Sequence, residues 1–182
     1  EMVAQVLPLL DEVQIREDVS AAAYRGLVPH AAFAAFADVG WTATPAPLEG
    51  WAALAASLDK AGKTMRENGL FLSYHNHAIE FQRYGDKTAL EMIYDLTSPE
   101  NLKGEPDTYW VQHGGGNPVA WCEKLAGRMP LLHLKDYGIV NSEVRIMEVG
   151  NGNLDWKNII KAARKSGTEW YIIEQDVCPA DP

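Results

Sequence analysis

From Leu48 onward the chain alternates between helical and strand-like runs of apolar residues. Leu48, Trp51, Leu54, Ala55, Leu58, Ala61 and Met65 recur at the spacing of one face of an amphipathic helix, and Gly69 is its natural stop. Leu70-Phe71-Leu72-Ser73-Tyr74 comes next as a short apolar run of strand length. Leu90, Ile93 and Tyr94 predict the inner face of a second helix, ended by Ser98-Pro99. Asn117-Pro118 opens a third as a cap followed by proline at the first helical position, and Gly127 closes it. Met129 to Leu134 is the next strand. Asp155 caps a fourth helix with Ile159, Ile160 and Ala163 inward and Gly167 as its stop, and Trp170-Tyr171-Ile172-Ile173 is the last strand. A less regular strand is expected around Lys103 to Val111.

The first 47 residues are hard to read. Val3, Val6, Leu7 and Leu10 have helical spacing interrupted by Pro8, Val13-Gln14-Ile15 suits a short strand, and Ala31 to Asp38 suits a helix stopped at Gly40. Trp41 to Pro47 reads as a loop, since each proline pushes its predecessor out of the helical region.

Strand then helix, repeated along the chain, predicts parallel βα units. The strands are continuous apolar runs, which means that both of their faces are covered, as in a parallel sheet or barrel. The fold class is α/β, and the length of 182 residues suggests one domain over 1–182.

Composition narrows the function. With 25 acidic against 16 basic side chains and a net charge of −9, the surface is a poor track for phosphates, so no nucleic-acid partner is expected. No stretch approaches the roughly 18 uninterrupted apolar residues of a membrane helix, and no membrane partner is expected. The 2 cysteines, Cys122 and Cys178, form no disulfide or zinc framework. Two unpaired thiols and no visible signal peptide give a cytoplasmic default.

The chemistry collects behind the apolar runs. The first strand ends in Tyr74-His75-Asn76-His77, with Glu80 three residues on. Asp107-Thr108-Tyr109-Trp110 lies in the irregular strand, and the last two end in Leu131-Leu132-His133-Leu134-Lys135-Asp136 and Ile172-Ile173-Glu174-Gln175-Asp176. In a parallel α/β fold the C-terminal ends of all strands lie on one rim, so these four clusters should converge. Alternation along a strand puts His133 and Lys135 on one side, Glu174 and Asp176 on one side, and His75 and His77 on one side. One carboxylate or imidazole per strand end is what a mixed nitrogen and oxygen site for a divalent cation needs: Mn2+, Mg2+, Co2+ or Zn2+. Trp110 suits either stacking on a sugar face or packing of the interior. Gly114-Gly115-Gly116 lacks the lysine of a P-loop and reads as a flexible turn, and Glu148 to Asn153 reads as a plain connection.

The segments YHNHAIEF (Tyr74 to Phe81), DTYW with the downstream His113-Gly114-Gly115, LLHLKD, EVGNGNLDW and EWYIIEQD together resemble the sugar phosphate isomerase/epimerase group of the xylose isomerase-like TIM barrel superfamily. That superfamily also holds inosose dehydratases, ketose 3-epimerases and abasic-site endonucleases. The resemblance covers residues 48–182. It implies a (β/α)8 barrel with one divalent metal at its C-terminal rim, bound by two glutamates, an aspartate and a histidine. Carried onto this chain, these are Glu80, Asp107, His133 and Glu174, with His75 or His77 able to replace Glu80.

The resemblance further implies an isomerase, epimerase or dehydratase of a sugar, sugar phosphate or cyclitol, which removes a proton next to a carbonyl through an enediolate. Glu174 or Glu80 would shuttle that proton, and His75, His77 and Lys135 would orient or protonate substrate oxygens. His113, Trp110 and Asp176 would contact the carbohydrate. Homo-oligomerisation is left open. A complete barrel of this kind runs to about 250 residues. Here only the second-half strands are recognisable, so the first half is expected to be reduced or to lie on a longer chain. Two other readings remain: an abasic-site endonuclease-like hydrolase, which the acidic charge opposes, and a sugar-binding barrel without turnover.

Overall fold

The computed structural model describes residues 48–177. The helix expected around Val3 to Leu10, the strand Val13-Gln14-Ile15, the helix Ala31 to Asp38, the loop from Trp41 to Pro47 and Cys178 lie outside the described residues. The described residues group into two compact units, 48–74 with 91–103 and 75–90 with 104–177.

In the first unit, helix α1 (Leu48–Glu67) buries Trp51, Ala55, Leu58, Ala61, Gly62 and Met65. This is the expected stripe, except that Leu48 is exposed and Leu54 half-buried. Gly62 lies so close to the Asn101 carbonyl that any Cβ there would collide with it. The Asp59 carboxylate accepts from Ser98 N (2.6 Å) and Asn101 Nδ2 (3.0 Å), which ties the 98–101 turn to the helix. Strand β1 (Leu72–His75) is hydrogen-bonded to β4 (Leu102–Glu105). In the second unit, a short hairpin of β2 (Arg83–Tyr84) and β3 (Lys87–Thr88) leads into α2 (Ala89–Asp95), of which Ala89, Leu90 and Ile93 are buried.

The second unit is built on parallel strands. β5 (Leu131–Leu134) pairs with β8 (Trp170–Ile173), Leu131 opposite Trp170 and Leu134 opposite Ile173. Helix α5 (Trp156–Ser166) makes the crossover; Asp155 caps it by accepting from Asn158 N, and Gly167 ends it at φ 88°. Between β4 and β5 lie α3 (Thr108–His113) and α4 (Pro118–Lys124). Asn117 caps α4 by accepting from Val119 N and Ala120 N, so the predicted cap-and-proline start is present.

The strand expected around Lys103 to Val111 is shorter than its sequence reading. It ends at Glu105, and Asp107 leaves it to cap α3, with Oδ1 accepting from Trp110 N at 2.9 Å. Pro106 is compatible with pairing because the neighbouring strand needs an acceptor there. Its carbonyl takes the His133 N–H at 3.0 Å, and Asp107 bridges His133 in the parallel sense.

Like β2–β3, a second hairpin has no counterpart in the sequence pattern. β6 (Asp136–Val140) and β7 (Glu143–Met147) pair antiparallel around Asn141 and Ser142, both at positive φ (52° and 65°) as a tight two-residue turn requires. The fully buried Asp136 carboxylate anchors the segment beyond the hairpin. It accepts from the backbone N–H of Tyr137 (2.8 Å), Gly150 (2.9 Å), Gly152 (3.0 Å) and Leu154 (3.3 Å), and from Trp156 Nε1 (2.6 Å). The stretch from Glu148 to Asn153 is therefore wrapped around a buried charge and is no plain connection. Gly114 and Gly116 likewise lie against the Phe81 ring, where side chains would collide, so the triple glycine is a close-packed turn.

A Cβ at Gly152 would run into the Asp136 carboxylate and the Tyr137 carbonyl. Gly152→Ala is expected to lower the unfolding free energy by about 1–3 kcal/mol, measured by chemical denaturation. An unchanged midpoint would show that the loop does not depend on its contact with Asp136.

Candidate metal centre

The four polar clusters behind the apolar runs meet within the second unit. His75 is the last residue of β1, Asp107 caps α3, His133 lies in β5 and Glu174 comes directly after β8, where its N–H donates to the Leu134 carbonyl at 3.1 Å. One ligand atom from each of His75, Asp107, His133 and Glu174 lies within 4.8 Å of all the others. Ligand atoms about 2.1 Å from one ion stand roughly 3 to 4 Å apart. Small side-chain adjustments would therefore close this set of two imidazoles and two carboxylates around a divalent cation, and the absence of thiolate suits a harder ion.

Hydrogen bonds hold each member in place. Asp107 is fully buried; its N–H donates to Asn76 Oδ1 at 3.3 Å, and its Oδ2 lies 3.2 Å from His75 Nε2. The His133 ring sits between two carboxylates, Nδ1 at 2.7 Å from Glu174 Oε2 and Nε2 at 2.9 Å from Glu105 Oε1. The His75 ring is stacked on it at 4.2 Å between centroids. The Thr108 hydroxyl sits between the carbonyls of His133 (3.1 Å) and Lys135 (2.9 Å), and Lys135 N–H points at it from 3.0 Å.

Lys135 is 1% exposed, and its ammonium serves three carboxylates: Asp176 at 2.9 Å, Glu174 at 3.1 Å and Asp107 at 3.5 Å. It also lies 5.4 Å above the Trp110 ring. These contacts set the protonation states. Burial pushes the His133 imidazole down, but the hydrogen bonds and charges of Glu105 and Glu174 outweigh it and raise the group to about 9. Burial alone would raise Glu174, yet the His133 hydrogen bond and the Lys135 charge hold it well below the usual carboxylate range. Lys135 is raised because Asp107, Asp176 and Glu174 overcome its own desolvation.

Glu80, expected from the family resemblance as a ligand, is not in this group. Its carboxylate is buried and accepts from His77 N at 2.9 Å, while His75 stands among the ligand atoms. The half-buried His77 has its ring 5.1 Å from the rings of both His75 and Trp110. Trp110 packs on Tyr109 at 4.6 Å and His113 at 5.7 Å, and the exposed His113 lies at this aromatic margin. Asp176 enters only through its ion pair with Lys135. Sequence reasoning missed Glu105, Asn76 and Thr108. Alternation offered one signal, since Glu105 lies two residues before Asp107 and so on the same side.

Residues 13–180 match the family described as the xylose isomerase-like TIM barrel. The chain belongs to that family. Among curated relatives, the inosose dehydratase of Lacticaseibacillus casei is 27% identical over 154 residues, which cover 72% of this chain and 50% of the relative. That of Clostridium beijerinckii is 27% identical over 148 residues, covering 72% and 49%. A solved sugar phosphate isomerase/epimerase from Parabacteroides distasonis is 28% identical with a TM-score of 0.61, covering 72% of this chain and 46% of the other. A solved L-ribulose 3-epimerase, 18% identical with a TM-score of 0.53, shares the fold over 74% of this chain and 43% of its own. The chain spans about half the length of the curated relatives it matches. Among the described residues, no helix is long and apolar enough to cross a membrane.

The electrostatics predict a pH dependence for the metal-free protein. A histidine raised to about 9 in the folded state stabilises it fully below the unfolded value near 6.5, and that stabilisation is lost as the pH rises through 9. With a chelator present, the unfolding free energy is expected to fall by up to a few kcal/mol between about pH 6.5 and 9.5. His133→Gln should flatten this slope; an equal slope in the variant would place the titrating group elsewhere.

Proposed function

We propose that this chain carries the metal-binding and proton-transfer half of a divalent-metal-dependent isomerase, epimerase or dehydratase acting on a sugar, sugar phosphate or cyclitol. The observation that carries the reading is the convergence of His75, Asp107, His133 and Glu174 from four strand ends on one point. Membership of the family supports it, as do relatives named inosose dehydratase and sugar phosphate isomerase/epimerase.

The four residues would hold the cation, Mn2+, Mg2+, Co2+ or Zn2+. A bound divalent ion supplies Lewis-acid polarisation of a carbonyl, which acidifies the adjacent C–H bond. The remaining work falls to the protein. Glu174, kept ionised by His133 and Lys135, has an oxygen free to receive the proton from that carbon. Lys135, kept charged by its three carboxylates, offers an N–H to the oxygen on which negative charge develops. For a dehydratase the same ammonium would protonate the departing hydroxyl. Trp110, beside Lys135 and His77, offers an aromatic surface to a sugar face, with His113 and Asp176 at the margin. Glu80 acts here through the His77 backbone, and His77 orients a hydroxyl.

The net charge of −9 sits better with a small carbohydrate than with a polynucleotide. Two measurements test the proposal. Mn2+ titration by calorimetry is expected to show one site per chain, weakened more than about 100-fold in His133→Ala and Glu174→Ala, since losing a ligand costs more than losing an outer partner. In heavy water, the protein given a panel of sugars, sugar phosphates and cyclitols should place deuterium on the carbon next to a carbonyl. No bound divalent metal, or full turnover in either variant, would refute it.

A further inference from the structure

Glu105 has no place in the chemistry assigned to the site, yet it is one of the most enclosed charged groups among the described residues, with 1% of its surface exposed. It is the last residue of β4, and its Oε1 lies 2.9 Å from His133 Nε2. The other ring nitrogen, Nδ1, faces Glu174 at 2.7 Å. A histidine that ligates a cation must present a lone pair from one nitrogen, which leaves its single ring proton on the other. A carboxylate can only accept, so at Nε2 it favours the tautomer with the proton there and the lone pair on Nδ1. The ring cannot readily swing away. The His75 ring covers it at 4.2 Å, and the His133 backbone is fixed through its N–H to the Pro106 carbonyl.

We propose that Glu105 is the positioning residue of the metal centre: it holds the Nε2–H of His133 and thereby aims Nδ1 at the cation. This rests on the proposed metal-centre function. Glu105 touches neither cation nor substrate, and its effect passes through His133. Its negative charge also makes the imidazole a more basic ligand than a neutral acceptor would.

The experiment is Mn2+ titration of the wild-type protein, Glu105→Gln and Glu105→Leu at one pH, joined to 15N NMR of His133 in the Zn2+-loaded proteins. Glutamine matches the carboxylate in size and keeps an acceptor without the charge; leucine removes the acceptor. Affinity is expected to fall in the order wild type, Gln, Leu, with the leucine variant about 10- to 100-fold weaker. The wild-type spectrum should show a protonated Nε2 and a ligating Nδ1, and the leucine variant a loss of that preference. A purely structural Glu105 would lower the folded fraction in both variants and leave the affinity of the folded protein and the ligating nitrogen unchanged, which overturns the proposal. Should Glu105→Leu not fold, wild-type affinity in Glu105→Gln overturns it alone. Wild-type protein that binds no Mn2+ refutes the metal-centre reading, and the positioning role with it; wild-type binding matched by the variants refutes only the positioning role.

Discussion

The interaction on which the second unit depends is the pairing of two buried cationic side chains, His133 and Lys135, with Glu105, Asp107, Glu174 and Asp176. Removing an ion from water without a partner costs several kcal/mol, so these groups either occur together or not at all. Each is also tied to backbone. Asp107 caps α3 and receives the His75 ring, Glu174 donates its N–H to the Leu134 carbonyl, and Thr108 lies between the carbonyls on either side of Leu134. Without a metal, the protonated His133 and Lys135 supply part of the positive charge that these carboxylates need. Four carboxylates against these two cations still leave an excess of negative charge. Any cation held by His75, Asp107, His133 and Glu174 would have to displace the proton that His133 shares with Glu174. Such exchange links cation affinity to pH.

The same strand end serves two purposes through the two-residue period of a strand. Lys135 goes to the centre, and Asp136, its neighbour, goes the other way to gather five N–H donors from its own strand and from the 150–156 segment. A buried carboxylate saturated by N–H groups makes a rigid anchor, because withdrawing any donor exposes a charge that burial makes costly. The hairpin that begins at Asp136 is thus fixed at its base, within one residue of the buried Lys135 ammonium. Site and scaffold are joined by one peptide bond.

Much of this was legible from apolar periodicity and from the polar residues at the end of each apolar run. His133, Asp107 and Glu174 stood out because each is a ligand-type residue behind hydrophobic neighbours, and the caps at Asn117 and Asp155 announced their helices. The misses have physical causes. Glu80 was favoured over His75 through a motif whose spacing does not show which carboxylate folds back on its own backbone. Asp136 looked like the polar end of a strand, since four of its five donors lie 14 to 20 residues away. The hairpin was hidden because its turn, Asn141-Ser142, lacks the glycine that usually marks such turns.

The segment that looked most damaging, Gly104-Glu105-Pro106-Asp107, shows why residue-by-residue propensity falls short. Proline removes a donor, which would break a strand paired on both sides. Here β5 calls on the carbonyl of Pro106, and the His133 N–H that it accepts sets β5 in register with the chain beyond Glu105. Alternation then leaves Glu105 and Asp107 on the same side, flanking Pro106. Glu105 meets Nε2 of His133, and Asp107, already turning into the first residue of a helix cap, meets His75 and Lys135. A regular strand through Asp107 would have to keep its N–H in a ladder; released from one, that N–H donates to Asn76 and couples the end of β1 to the site. The early end of β4 is accordingly what allows two successive acidic residues on one side to take different partners, one holding the His133 imidazole and the other facing His75 and Lys135.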